Sequence, residues 1–438
     1  MPEPWFDELA EFLRIPSISA DPAHGGHVEE AGEWVCDFIR SSGGTADLVD
    51  WQGQPLAIGE LPASTPGAPT VMVYGHFDVQ PPAPLELWES DPFEPEVRDG
   101  YLFARGAVDD KGQLYMLLAG ARELARAGEL GVNVRFCCDG EEETGGHSIV
   151  EFIGADERGA DAAVIFDGGM IRRDVPAFDV AMRGIVYFHA TVRTGERDLH
   201  SGVFGGAALN AAHVLARLVA AVTTADGRLA APLRQGIVPP TEEELAGWRE
   251  LPAGEDELAQ MGAHPADARA VEDFYLRTFA EPALDVNGFE SGSPQLQKTV
   301  LPVEAIANLS IRLAPGQHPD VIAPEVERLL RAALPDGAEL ELERWSSAPP
   351  GLVPPDAKAV QLGLDAFERV VGRRPALIRS GGSIPVVAAL SEKGIPAIVT
   401  GFGLPDSQIH SPNERLVADY VPLGTQTARE VFLELAGL

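Results

Sequence analysis

The sequence predicts an α/β protein. A mainly parallel sheet belongs to a discontinuous domain, residues 1–183 and 376–438, interrupted by a smaller α+β domain over 184–375. Three observations predict this. Between residues 70 and 166, apolar strand-like runs alternate with amphipathic helical stretches, the β-α-β rhythm of a parallel sheet. After Arg183-Gly184 the pattern becomes the half-buried alternation of antiparallel strands. From about 376, wholly apolar runs return as Ala376-Leu377-Ile378 and Pro396-Ala397-Ile398-Val399-Thr400. At 438 residues the chain also exceeds one ordinary domain.

Residues 4–13 and 28–40 read as amphipathic helices. In the second, Ala31, Trp34, Val35, Phe38 and Ile39 recur at i, i+3, i+4 spacing, and Gly43-Gly44 stops the helix. A buried strand follows at 70–75, built on Thr70-Val71-Met72-Val73-Tyr74. A loop rich in proline and acid (81–95) leads to a short strand and turn at 100–106. Asp109-Asp110-Lys111-Gly112 opens a helix with Leu114, Leu117, Leu118, Ala121 and Leu124 on its apolar face, and Gly128 closes it. Strands at 132–138 and 162–166 complete the β-α-β pattern. In the inserted part, strands are expected at 185–194, 306–313 and 338–344, and helices at 207–221 and 320–334. The charged stretch 222–282 reads as a weakly helical insertion, and a helix ends the chain.

The formal net charge is −34, spread along the chain, which argues against nucleic acid or an anionic membrane surface as partner. No apolar run approaches the roughly 18 residues of a membrane span. The N-terminus Met-Pro-Glu-Pro-Trp-Phe-Asp-Glu lacks the basic and apolar segments of a signal peptide, so a cytoplasmic protein is expected. Cys36, Cys137 and Cys138 make neither a disulfide framework nor a zinc-binding spacing, and Cys137-Cys138 read as core.

The strand at 70–75 runs into His76-Phe77-Asp78, which sets an imidazole at the sheet's carboxyl edge with a carboxylate close enough to orient it. Four more clusters of acid or histidine fall at similar places. They are Asp109-Asp110 before a helix, Glu141-Glu142-Glu143 after strand 132–138, Asp167-Gly168-Gly169 after strand 162–166, and His410-Ser411-Pro412-Asn413-Glu414 before the last helix. Each alone has an ordinary explanation as an N-cap, a turn or a solvated loop. Together they converge on one sheet edge and offer two histidines and three carboxylates with no thiolate, a donor set that suits zinc and also manganese or cobalt. Five ligands exceed the needs of one catalytic zinc and suit two divalent ions bridged by a carboxylate and a water. A further carboxylate must move the water's proton, and on an extended segment Glu142 and Glu143 would point apart and divide these tasks.

The motifs GHFDVQP, WESDPFEPEVRDGYLFARGAVDDKGQ, DGEEETGG, HSGVFGG, GGSIP and HSPNE resemble, in order and from about residue 5 to the C-terminus, those of the carnosinase-like dizinc peptidases. The wider family includes cytosolic non-specific dipeptidase, glutamate carboxypeptidase, aminoacylase and succinyl-diaminopimelate desuccinylase. The resemblance implies a dinuclear hydrolase that cleaves dipeptides or very short peptides, works as a homodimer, and uses the inserted domain as lid and dimerisation unit. It implies His76 and Asp167 on one metal, Glu143 and His410 on the other, Asp109 bridging both, Asp78 orienting His76, Glu142 as general base and then acid, and a cis peptide between Asp109 and Asp110. It further implies that His200 reaches across a dimer to polarise the scissile carbonyl, that Arg312 and Ser383 hold the substrate's carboxylate, and that Glu414 holds its free amine. The extra Glu141 leaves a second register open, with Glu141 as base and Glu142 as ligand. Removal of an N-acyl group from an amino acid, and a catalytically silent metal-binding dimer, are the alternatives to peptide hydrolysis. Asp at 167 favours peptides over N-acyl amino acids.

Overall fold

The computed structural model describes residues 4–224, 227–382 and 384–438. Six strands form the main sheet, in the order Thr45–Trp51, Gln54–Leu61, Asn133–Asp139, Thr70–His76, Ala162–Phe166 and Ala397–Thr400. The last four are parallel, as the alternating pattern predicts. The first two are an antiparallel hairpin at the edge, which the sequence reading did not anticipate. Its outer strand has the burial of an edge, with Asp47 and Asp50 exposed, and so lacks a continuous apolar run.

Helices cover this sheet because their apolar faces match it. Gly25–Ser41 buries Val28, Ala31, Val35, Phe38 and Ile39. Lys111–Ala127 buries Leu114, Leu117, Leu118, Ala121 and Leu124 and ends on Gly128 in the left-handed conformation, φ 69°. Tyr420–Leu435 and Lys358–Val371 join the same core. Lys358–Val371 lies before residue 376 in sequence yet packs with the first core, on the other side of the expected division.

The strand Ala376–Ser380 does not return to the main sheet. It pairs in parallel with Val175–Met182, a strand whose Pro176 and Asp179 hide it from pattern reading, in a smaller sheet. On its far edge, Val175–Met182 pairs at Ala181-Met182 with the short strand Gly351–Leu352.

A second core is antiparallel. Its sheet runs Ala283–Glu290, Glu304–Leu313, Gly184–Arg193, Glu339–Ala348, and the helices Ala211–Val222 and Pro319–Ala333 pack on it. The predicted helix at 207–221 starts instead at Ala211, because Asn210 caps it by accepting hydrogen bonds from the Ala212 and His213 amides. Strand Ala283–Glu290 directly follows the stretch 222–282 that reads as an insertion. The described part of that stretch forms short helices, and one, Glu242–Trp248, is anchored to the first core. The buried Glu244 carboxylate accepts from Arg379 Nε at 2.5 Å and Nη2 at 3.2 Å, and Arg379 also donates to the Val238 and Pro239 carbonyls. Among the described residues no helix is long and apolar enough to cross a membrane.

Candidate metal centre

The parallel strands deliver their C-terminal ends to one place, as open α/β sheets do. His76 is the last residue of strand Thr70–His76, Glu142 and Glu143 follow Asn133–Asp139, and Asp167 follows Ala162–Phe166. Asp109 precedes helix Lys111–Ala127, next to a cis Asp109-Asp110 peptide. Gly75 is required just before His76, because a Cβ there would lie 2.7 Å from Asp110 Oδ2. His410 sits in a loop that a three-residue strand, Arg415–Val417, ties to Tyr101–Phe103.

The five predicted ligands form two groups that share Asp109: His76, Asp109 and Asp167, and Asp109, Glu143 and His410. His76 Nε2 is 2.9 Å from Asp109 Oδ1 and 3.9 Å from Asp167 Oδ1. His410 Nε2 is 2.8 Å from Asp109 Oδ2 and 3.2 Å from Glu143 Oε2. Each oxygen of one carboxylate thus faces one imidazole. His410 itself adopts the left-handed conformation, φ 57°, as do Gln408 and Asn413 in the same loop.

The electrostatics call for positive charge. Burial opposes a proton on His76, yet the hydrogen bonds to Asp109 and Asp78 outweigh it and hold the imidazole well above its usual range. Hydrogen bonds to Asp109 and Glu143 push His410 up to about 10. Burial raises Asp109, but the two histidines overcome this and hold it low. Burial and neighbouring carboxylates keep Asp167 high. In addition, Glu143 Oε1 is buried without a hydrogen-bond partner. Clustered nitrogen and oxygen donors, an orphaned carboxylate oxygen and acids that need cations fit divalent metal.

Asp78 does more than orient His76. Its Oδ1 lies 3.2 Å from His76 Nδ1 and accepts the Glu142 amide at 3.2 Å, while Oδ2 accepts the Glu143 amide at 3.1 Å. Glu142–Thr144 is a 3₁₀ turn rather than the extended segment expected, so Glu142 and Glu143 diverge by about 120° instead of pointing oppositely. Glu142 lines the adjoining cavity, and burial, followed by repulsion from Glu143 and Asp109, raises its pKa despite the opposing pull of His76. Glu141 is engaged elsewhere: its Oε1 accepts the Ser148 amide and hydroxyl, both at 2.6 Å, at the start of helix His147–Ala155. That geometry favours the register with Glu142 and Glu143 in the site.

The cavity, about 460 Å³, is lined by Asp109, Glu142, Asp167 and His410 and by apolar Met170, Ile384, Leu404 and Ile409. Glu414 does not face it. The amine-binding expectation is corrected here: the Glu414 carboxylate is fully buried and accepts from Arg105 Nη1 at 2.8 Å and from the amides of Gly106, Val108 and Asp109 at 3.0, 2.8 and 3.1 Å. It joins the His410 loop to the Asp109 loop. Gln113 makes a similar link, donating to the Val108 and Gly168 carbonyls and accepting the Phe402 amide. The spacing of neither residue announces these contacts, since the partners are as many as 309 residues away.

His200 and Arg312 stand apart from the cavity lining. His200 is exposed at the head of the short helix Ser201–Phe204, where its Nδ1 accepts the Gly202 amide. Arg312 is half-buried on strand Glu304–Leu313. Near it Arg183, lowered to about 10 by burial and then by Arg312, donates to the carbonyls of Gly381 and Arg277. Ser383 lies outside the described residues.

The chain is similar to known metallopeptidases. The Cys-Gly metallodipeptidase dug1 of Schizosaccharomyces pombe is 30% identical over 94% of this chain and 91% of its own. The human Beta-Ala-His dipeptidase is 29% identical over 98% of this chain and 86% of its own. The structure of an M20 family metallo-carboxypeptidase, Sso-CP2 from Sulfolobus solfataricus, superposes with a TM-score of 0.83 at 25% identity and covers the whole of both chains. Human carnosine dipeptidase 1 superposes at 0.75 with 27% identity, over 99% of this chain and 96% of its own. The profile of Peptidase family M20/M25/M40 matches residues 72–434, so the chain belongs to that family and is a metallopeptidase.

Proposed function

We propose that the protein is a dinuclear metallopeptidase that cleaves dipeptides or very short peptides with free N-termini. The observation that carries this is the pair of ligand groups sharing Asp109, with Glu142 beside them in the cavity. His76 and Asp167 would hold one ion and Glu143 and His410 the other, with Asp109 between; zinc suits the donors best, and manganese or cobalt also fit. When bound, such ions supply Lewis acidity, polarising the scissile carbonyl and acidifying the attacking water.

The chain's own residues do the rest. Glu142, in the cavity beside the ligand groups, takes the water's proton and returns it to the leaving amine. Asp78 keeps His76 in one tautomer and fixes the turn that carries Glu142. Arg312, with Ser383, would take the substrate's carboxylate through its planar guanidinium. His200 would come from a second copy of the chain to stabilise charge on the carbonyl oxygen. Its exposure beside Val203 (69% exposed) and Phe204 (43%) supports a homodimer that covers this face. The buried, unpaired cysteines sit with a cytoplasmic setting.

The test is metal analysis of the purified protein, then a mass-spectrometric assay of dipeptides against N-acyl amino acids, with zinc, manganese or cobalt restored to stripped enzyme. Dipeptide cleavage is expected, and it should vanish in Glu142→Gln. Cleavage confined to N-acyl amino acids selects the deacylase alternative.

A further inference from the structure

We propose that Gln80 is the positioning residue that fixes which of two adjacent glutamates binds metal and which is left free as base, an inference that rests on the two-ion reading above. Neighbouring glutamates on a 3₁₀ turn are chemically identical and diverge by only about 120°, so backbone geometry alone does not assign their duties. The segment after strand Thr70–His76 does. His76, Asp78 and Gln80 alternate along an extended stretch and so share a face. His76 lies in the ligand cluster, and Asp78 accepts both glutamate amides. Gln80 Nε2 donates to Glu143 Oε2 at 2.9 Å and reaches the Glu143 carbonyl at 3.4 Å.

The side-chain bond is made to Glu143 and not to Glu142. It holds the Glu143 carboxylate, 4% exposed, against His410 Nε2 at 3.2 Å, while Glu143 Oε1 is left without a partner. A neutral donor suits this task. It holds an anion in place without neutralising it, whereas Lys or Arg there would compete with the metal for the same charge. Among the described residues Gln80 makes no such bond to Glu142, which lines the cavity.

Gln80→Met keeps the length of the side chain and removes its donors. Gln80→Glu keeps the shape and replaces the donor with a like charge. Gln80 is only half-buried, so both variants are expected to fold. The experiment is calorimetric titration of the metal-stripped proteins with zinc, supported by thermal melting of the stripped state. The parent is expected to take up two ions. In Gln80→Met one step should weaken about 10–100-fold and the other should stay at the parent value, with the stripped-state melting temperature unchanged. Gln80→Glu should weaken the same step at least as much. Two steps of parental affinity in Gln80→Met overturn the inference, as does equal weakening of both steps, which marks a general structural role. If the parent takes up a single ion, the two-ion reading fails. The clamp then stands if Gln80→Met weakens that ion's binding, and falls if it does not.

Discussion

Replacing Asp78 with asparagine tests the arrangement at its most connected point. The carboxylate accepts three hydrogen bonds at 3.1–3.2 Å, from the His76 ring and the Glu142 and Glu143 amides. Asparagine keeps one oxygen. If that oxygen stays with His76 and Glu142, the new NH₂ group faces the Glu143 amide, donor against donor. A buried N–H left unsatisfied costs about 1–3 kcal/mol, and bonds to a neutral acceptor are about half as strong as those to a carboxylate. About 2–3 kcal/mol of organisation is therefore lost, close to the 10–100-fold loss of metal affinity typical when the group behind a ligand is changed. Both ions should be affected, because His76 serves one group and the Glu143 backbone the other. The assay is zinc titration of stripped protein by calorimetry, with kcat/KM on a cleaved dipeptide measured under saturating zinc. Asp78→Ala should do at least as much harm. If Asp78→Asn binds both ions as the parent does and keeps its rate within twofold, Asp78 is a bystander.

Three other outcomes are expected. Mixing inactive His200→Ala with inactive Glu142→Gln, followed by subunit exchange, should restore part of the activity, because a mixed dimer assembles one site from two intact contributions; no recovery in a verified mixed dimer would place His200 outside the reaction. Glu414→Gln should lower thermal stability and metal occupancy together, since a neutral amide cannot accept from Arg105 and three amides at once, and the removal of one partner from a buried ion pair costs about 3–5 kcal/mol; unchanged melting and metal content would refute the link between loops. Asp179, pushed up to about 7 by burial, keeps its proton in the folded protein while the unfolded chain releases it above about 4. Stability is therefore lost as pH rises from about 4 through 7, at up to about 1.4 kcal/mol per unit, and Asp179→Asn should flatten that slope in denaturant melts at pH 5 and 8. Parallel profiles for parent and variant would refute it.

Much of this was legible because strand ends and ligands coincide. A strand that is buried on both faces needs a nearly unbroken apolar run, so Thr70–His76, Asn133–Asp139, Ala162–Phe166 and Ala397–Thr400 stand out in the sequence, and the polar residues that interrupt the runs mark the site. The edge hairpin Thr45–Leu61 and the strand Val175–Met182 were hidden, the first by solvent-facing acids and the second by a proline and an aspartate within it. The misjudged residue, Glu414, has a helix-proximal position that suits several roles. Only the distant Arg105 and the amides of Gly106, Val108 and Asp109 decide among them, and distance in sequence carries no signal for such a contact. The 3₁₀ turn at Glu142 escaped for a related reason, because its two amides are held by Asp78, on the segment that follows strand Thr70–His76.

The pairing of Gly351–Leu352 with Ala181-Met182 has a consequence for engineering. The chain leaves the first core at Met182 and re-enters it at Gly351, and these residues are direct ladder partners. The intervening polypeptide thus leaves and returns at one point, the geometry in which a domain can be excised or exchanged and the gap closed with a short turn, although Glu242–Trp248 also packs back on the first core. A minimal protein made in this way would retain every proposed metal ligand but would uncover Arg379, whose partners Glu244, Val238 and Pro239 all lie in the removed portion. The excision would also bare the apolar surface of Ile171, Val175 and Ala177 on which Leu251 packs, so polar replacements there would have to accompany it.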